Sequence, residues 1–401
     1  MYEVVVVGGG PGGIFAAMQA KRVNIKAKII VLEKSQSILS KIKVSGGGRC
    51  NVTNATFDPK ELSLNYPRGQ KELISAFYQF QPQDMMKWLE KRGVSLKVDR
   101  DRKVFPLSNN SQTIIDCFLK EIKNNNIEIK YNQNILKILK KNNFFEIVID
   151  NEETILAKKV ILATGSSPAG LKYAKLLGHN IDPFIPSLFS FKIGSLDILK
   201  LSGLSKEDVR VSLKNSPFAQ VGSILITHEG FSGPAIINLS AFGARFLHEK
   251  NYQTTLSINW LNNFSKDQII QRLFIAKKEH PKKLLFKINP FQFPQKLWSF
   301  FLNHFGNIFS FPLKNISNKN LLKLSDKLAS DDYPIISKSK NKSEFVSSGG
   351  INLKEVNFKD MQSKKCKNLY FVGELLNVDG ITGGYNLQNV WTTGFIAGNS
   401  K

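Results

Sequence analysis

The chain opens with two changes of hydrophobic period. "YEVVVV" is a continuous apolar run, as expected of a strand buried on both faces, and it breaks at Gly8. From about Pro11, "PGGIFAAMQAKRV" predicts a helix whose small residues let it pack closely on a sheet, and "AKIIVLEK" predicts a second buried strand. A helix-length crossover between two such strands implies a parallel pair with a right-handed connection, which is an α/β start.

Between Lys71 and Lys91 apolar residues recur at helical spacing, and the glycine closing "QPQDMMKWLEKRG" suits a helix end. "SQTIIDCFLKEIKNNN" predicts another helix, capped by Ser111. The short runs "IEIKY", "ILKILKK", "FFEIVID", "TILA" and "KKVILATGSS" then crowd together, the middle ones joined by polar turns as in an antiparallel meander. After Pro183 and Pro186 the alternating pieces "SLFSFKIG", "DVRVSLK" and "AQVGSILITHEG" predict a small inserted β domain. "SGPAIINLSAFGARFLH" reads as a helix with Ser232 as N-cap and Pro234 in its first turn. Phe264 to Ala329 holds several helical stretches, and from Phe345 the opening style returns with "NLYFVGE", a glycine-rich connection and a helix through "LQNVWTTGFIAG". The expected organisation is a discontinuous α/β domain (1–186 and 345–401), an inserted β-rich domain (187–263 and 331–344) and a helical subdomain (264–330).

Composition narrows the picture only in part. With 401 residues, 42% hydrophobic and 22% charged, the chain has the balance of an ordinary globular protein and the length for two or three packed domains. Cys50, Cys117 and Cys366 stand apart, offering no CxxC pair, zinc spacing or disulfide framework, so no metal site is expected and a reducing compartment is. Met1 leads straight into the first strand without room for a leader segment, and no apolar run approaches the roughly 18 residues of a membrane span, which together predict a cytoplasmic protein. The net charge of +24 is able to steer a protein toward RNA, DNA or anionic lipid. Its lysines are scattered, however, and the densest stretch, "KKEHPKKLLFK", has no glycine-arginine or aromatic-basic repeat beside it, so the reading is a generally basic surface and nucleic acid is not the expected partner.

Gly8, Gly10 and Gly13 fit GxGxxG between a strand and a helix, and Glu33 stands twenty residues beyond the last glycine at the end of the second strand. This context predicts a dinucleotide site: the pyrophosphate rests at the helix N-terminus, and Glu33 accepts hydrogen bonds from the adenosine ribose. The motif alone does not separate FAD from NAD(P). A strand meander ending in "VILATG", in place of further parallel βα units, resembles the FAD domain of glutathione-reductase-type flavoproteins, and "YFVGE" resembles its second FAD motif.

A second glycine-rich stretch, "KVSGGGRCNVTN", is too irregular for a helix or strand, lacks the GK[ST] ending of a phosphate loop, and its Cys50 has no neighbouring thiol for dithiol chemistry. Together "GGGPGGIFAA", this stretch, "RKVFPLSNNSQTIID", "VILATG", "ILITHEGFSGPAIINLS" and "YFVGELLNVDGITGGYNLQNVWTTGFIAG" resemble, in order and over nearly the whole chain, the BaiN-type bacterial flavoproteins, the NAD(P)/FAD-dependent oxidoreductases or aminoacetone-oxidase-like FAD enzymes. The resemblance implies a Rossmann-like FAD domain of glutathione-reductase type, interrupted by a β-barrel-like domain and a small helical domain.

The resemblance further implies FAD contacts from Gly8, Gly10, Pro11, Gly12, Gly13, Glu33 and Lys34; from the loop Ser45, Gly46, Gly47, Gly48, Arg49, Cys50 and Asn51; from Ile135, Thr164 and Gly165; and from Gly373, Glu374, Asp379, Gly380, Gly384, Tyr385, Asn386, Leu387 and Gln388. Arg49 is the side chain expected to meet a negative group. The glycine-rich turn before the last helix would aim backbone N–H groups at the flavin N1/O2 edge. No second GxGxxG-plus-strand unit exists, so NAD(P)H is expected as a transient donor, if it is the donor. His228 and Tyr385 are the candidates for proton transfer. The expected activity is FAD-dependent transfer of electrons to a small organic acceptor or oxygen. The alternative is an FAD-bearing nucleic-acid-binding or tRNA-modifying protein.

Overall fold

The computed structural model describes residues 1–99, 101–150, 153–339 and 346–400. It divides into two compact units, Met1–Ile185 with Val346–Lys401, and Pro186–Phe345. The expected domain boundary at 344/345 lies outside the described residues.

The first unit is built on a nine-stranded mixed sheet. Strand β1 (Tyr2–Val7) leads through a glycine turn into helix α1 (Pro11–Val23) and then β2 (Ile29–Leu32), the predicted parallel unit, with Val4 opposite Ile29 and Val7 opposite Leu32. On the other flank β1 pairs in parallel with β3 (Thr154–Leu162), which pairs in parallel with β4 (Leu369–Phe371). Leu162 sits opposite both Val7 and Phe371, so the carboxyl ends of these strands are level. The expected meander is present as Ile135–Lys140 and Phe145–Ile149, running antiparallel into β3. "TILA" and "KKVILA" merge into the single strand β3, and Glu128–Lys130 joins the parallel sheet beside β2.

The last helix, α2 (Tyr385–Asn399), lies against α1 at backbone distance. A Cβ on Gly394 would stand 2.8 Å from the Gly12 carbonyl oxygen, and one on Gly398 would stand 2.3 Å from that of Ala16. Around this crossing Phe15, Phe118 and Trp391 form a fully buried aromatic cluster with ring centroids 5.4 to 6.2 Å apart. Aromatic packing of this kind adds to the area it removes from water.

In the second unit six antiparallel strands close a barrel in the order Phe191–Ile193, Gly230–Ser232, Ala219–Ile226, Ser205–Leu213, Thr254–Asn259 and Asp331–Lys338. Closure removes the open edges that an isolated sheet would expose. The helices Lys266–Glu279, Gln295–Asn303 and Asn318–Ala329 share the barrel's apolar core, with Trp260 of the barrel side packed edge-on to Phe301 at 5.4 Å. Asp331, buried there, accepts the Trp260 indole N–H at 2.9 Å and the Tyr333 hydroxyl at 2.5 Å through Oδ2, and its Oδ1 pairs with the Lys327 ammonium at 2.6 Å. A buried carboxylate without such partners would be strongly destabilising.

Two predicted caps shift. Asn110, not Ser111, caps the helix Ser111–Asn124, accepting from the Gln112 N–H. Ser232 ends a barrel strand, and Gly233, at φ 94°, starts the helix Pro234–Phe242, which stops at Gly243 before a second short helix, Ala244–Glu249. Only glycine takes that φ without strain. The run between Lys71 and Lys91 forms two helices, Gln70–Phe77 and Pro82–Glu90, because Pro82 cannot continue a helix but starts one well. No helix among the described residues is long and apolar enough to cross a membrane.

The α1–α2 crossing yields a stability prediction. Gly398→Val forces a side chain against the Ala16 carbonyl and is expected to lower the unfolding free energy by about 1–3 kcal/mol or more, read from urea denaturation followed by tryptophan fluorescence.

Candidate functional site

Glycines set the floor of a groove at the carboxyl ends of β1, β2, β3 and β4, where ligands bind in open α/β sheets. Gly8, at φ 106°, and Gly13 are packing glycines: a Cβ on Gly8 would meet the Ala163 carbonyl oxygen at 2.5 Å, and one on Gly13 the Gly8 oxygen at 2.0 Å. Gly12 makes room for Val372 and Val390. Gly10 is different, since a Cβ there would meet nothing within 4 Å, and a Cβ on Gly165 would meet only Glu374 at 3.9 Å. These two positions face open space. Pro11 is the first helical residue, and α1 starts without a side-chain cap or an acidic residue in its first turn.

Two cavities run along these strand ends. One, of 360 Å³, is walled by Gly10, Pro11, Gly12, Thr164, Gly165 and Glu374, among others, and reaches Leu387 of α2. The other, of 460 Å³, is walled by Lys34, Ser35, Gln133, Ile135 and Tyr173. Gly8, Glu33, Thr164 and Ser167 line both, so the two adjoin. Glu33 Oε2 accepts the Gly9 N–H at 2.7 Å and its Oε1 accepts the Ser35 N–H and hydroxyl at 2.8 and 2.7 Å, which fixes the carboxylate between the halves. The Thr164 hydroxyl is buried without a hydrogen-bond partner. It points at Gly170, where a Cβ would stand 1.8 Å from it, so the missing side chain of Gly170 makes room for the hydroxyl.

The glycine-rich loop lies on the other side of α2. Gly46, Gly47 and Gly48 have φ of 58°, 66° and 83°, and Cys50 shares this left-handed geometry at 61°. Asn51, with its amide oriented to match its neighbours, accepts the Gly384 N–H at 3.0 Å and donates to the Thr53 carbonyl at 2.9 Å. The loop continues into buried contacts with α2: the Thr53 hydroxyl donates to Gln388 at 2.6 Å, and the Trp391 indole donates to the Val52 carbonyl at 2.9 Å. Gly384 is the N-cap of α2, and a Cβ there would stand 2.5 Å from Thr53.

The remaining predicted residues have varied surroundings. Gly380 and Asn386 bond each other, the Gly380 N–H donating to Asn386 at 2.8 Å and the Asn386 amide returning to the Gly380 carbonyl at 2.9 Å. Asp379 is fully buried and ion-paired with Arg68, and Arg49 stacks on the Phe105 ring at 4.2 Å with Asp99 4.0 Å away. Tyr385 is buried edge-on to Tyr66, and burial raises its phenol pKa. His228 belongs to the other unit, on a barrel turn beside a 200 Å³ cavity with Ser190 and Ser232, and is not part of the groove. The Gly373 N–H donates to Thr393 at 3.0 Å, and Glu374 meets Lys41 at 3.9 Å.

Several lining residues escaped the sequence reading. Lys41, Ser167 and Tyr173 carry no motif of their own. Arg68 is recognisable only as the partner of Asp379. Asn389, next to the predicted Gln388, is buried with both amide atoms unpartnered.

With this geometry in view, the comparison with known proteins is decisive for the class. Residues 2–400 match the model described as the HI0933-like protein Rossmann domain. The chain belongs to this family. It is an enzyme family of FAD-dependent oxidoreductases, as the BaiN resemblance implied. A ribosomal RNA dihydrouridine synthase of Escherichia coli is 25% identical, covering 98% of this chain and 96% of that protein. A 3-dehydro-bile acid delta(4,6)-reductase of Clostridium scindens is 26% identical, covering 99% and 98%. The fold is also that of the 3-ketosteroid-delta4-(5alpha)-dehydrogenase of Rhodococcus jostii, at a TM-score of 0.51 and 10% identity over 100% of this chain and 97% of that one. The residues fit the cofactor: a glycine floor open at Gly10 and Gly165, a helix N-terminus without a side-chain cap and a carboxylate shared by two cavities suit a dinucleotide.

Cys50 supplies a check on the loop. Burial pushes its thiol up to about 12 from the ordinary 9.0, so no thiolate forms at neutral pH and the residue acts as packing. Thiol-labelling at pH 8 is expected to spare Cys50 in the native protein and to reach it after unfolding. Because folding raises this pKa, the associated stability is intact below about pH 9 and lost as the pH climbs toward 12, and Cys50→Ala should flatten that alkaline limb in denaturation curves.

Proposed function

We propose that the chain holds FAD along the groove and uses it to reduce an activated carbon–carbon double bond in a small organic acceptor, with NAD(P)H as a transient donor. The observation that carries the reading is the groove floored by Gly10 and Gly165 at the ends of the parallel strands, where α1 begins without a side-chain cap. Bound FAD supplies hydride acceptance and donation at its N5. The protein's part is placement. The first turn of α1 and Gly10 receive the pyrophosphate, Glu33 and Lys34 the adenosine ribose, and Ile135 the wall beyond it, while Thr164, Gly165, Gly373 and Glu374 flank the diphosphate. The first turn of α2, with Leu387, and the Ser45–Asn51 loop held to it through Asn51 border the flavin end. Tyr385, the first residue of α2, is buried, and burial raises its phenol pKa, so it is neutral at pH 7. Both relatives' names denote the addition of hydrogen to an unsaturated carbon framework, which supports a reductase.

A second reading takes the acceptor to be a base in RNA. It is favoured by the +24 charge and by the relative named for ribosomal RNA dihydrouridine synthesis.

Purified protein is expected to show a flavin spectrum that bleaches on anaerobic addition of NADH or NADPH. Glu33→Gln should weaken FAD retention by about tenfold or more, the scale of a lost hydrogen bond to a charged group. Colourless protein that takes up no added FAD would overturn the proposal, while bleaching by neither nucleotide would remove NAD(P)H as donor. Reoxidation of the reduced enzyme by a steroid enone or by uridine-containing RNA separates the two acceptors.

A further inference from the structure

Positive charge is concentrated in one part of the second unit. Residues 264–330 carry 12 Lys and Arg against 3 Asp and Glu, a net +9 on 67 of the 401 residues and more than a third of the chain's +24. The fold tightens this further. Leu284 and Pro312 form an antiparallel bridge, the Leu313 N–H donates to the Lys283 carbonyl at 2.9 Å, and the Lys314 N–H donates to that of Pro281 at 2.9 Å. Two segments thirty residues apart thus run side by side, anchored by fully buried Leu285 and Leu313. Lys282, Lys283 and Lys314, all exposed, are carried on adjoining backbones, and none has an acidic partner among the described residues. Phe311, directly before the bridge, is 55% exposed, whereas Phe301 and Phe309 are fully buried.

We infer that this face binds RNA. Unpaired lysines suit phosphates, and an exposed aromatic ring in their midst suits an unstacked base, the combination by which proteins grip looped and single-stranded RNA. An anionic membrane would satisfy the charge but needs a continuous apolar face to insert, and the leucines beside these lysines point into the core. The inference rests on the second reading above, in which the acceptor is a base in RNA.

The test measures binding of the flavin-loaded protein to unmodified, in vitro transcribed Escherichia coli ribosomal RNA and to phosphatidylglycerol vesicles across a salt series. Lys282→Glu/Lys283→Glu/Lys314→Glu and Phe311→Ala are compared with wild type, and flavin content reports that each is folded. The expected result is wild-type RNA binding that falls steeply with salt, a triple variant weaker by at least about tenfold with a salt slope reduced by about three, and a weaker Phe311→Ala variant with an unchanged slope. RNA binding equal in wild type and variants would overturn the inference and leave the RNA reading standing. Absence of RNA binding by wild type, or capture by vesicles alone, would overturn both, leaving the small-molecule reductase.

Discussion

The first unit depends on the contact between two helix backbones that start 374 positions apart. Where α1 and α2 cross, Gly394 and Gly398 approach Gly12 and Ala16 so closely that no side chain fits. That approach has two consequences. It brings the glycine turn before α1 and the side chains of Leu387 and Val390 from α2 to one groove, and it lets Val372 and Val390 close over Gly12. Larger residues at the crossing would hold the helices apart and separate the two halves of the proposed cofactor site.

Around the crossing, buried polar groups are spent on fixing backbone rather than on chemistry. Thr53, Gln388 and Thr392 form a chain that ends on the Phe80 carbonyl, and Thr393 takes the Gly373 N–H. In a low-dielectric interior each of these bonds holds its partner in place, because breaking it leaves an unsatisfied group. The glycine-rich loop is held by this network, and its cysteine is packing.

The strands, the first βαβ unit, the meander and the inserted β region were legible because each is written in neighbouring residues: an apolar run, a turn glycine, a two-residue alternation. The groove was partly legible for the same reason, since Gly8, Gly10, Glu33 and Thr164 mark strand ends. What the motifs did not reveal was the division of labour among them, with Gly13 serving packing and Gly10 open to the cavity. Nor could they reveal that Arg49 would stack on Phe105, that Asp379 would pair with Arg68, or that a helix would break at Gly243.

The sequence by itself determined the class of fold and the dinucleotide geometry, because period, turn conformation and helix start are local properties. Only the tertiary structure decided which charges are neutralised and which face solvent. Arg68 and Asp379 meet across more than three hundred residues and cancel, whereas Lys282, Lys283 and Lys314 are drawn together by the Leu284–Pro312 bridge and have no acidic partner among the described residues. A scattered basic composition thus becomes a directed surface, since electrostatic partnership depends on distance in space, which local pattern does not encode.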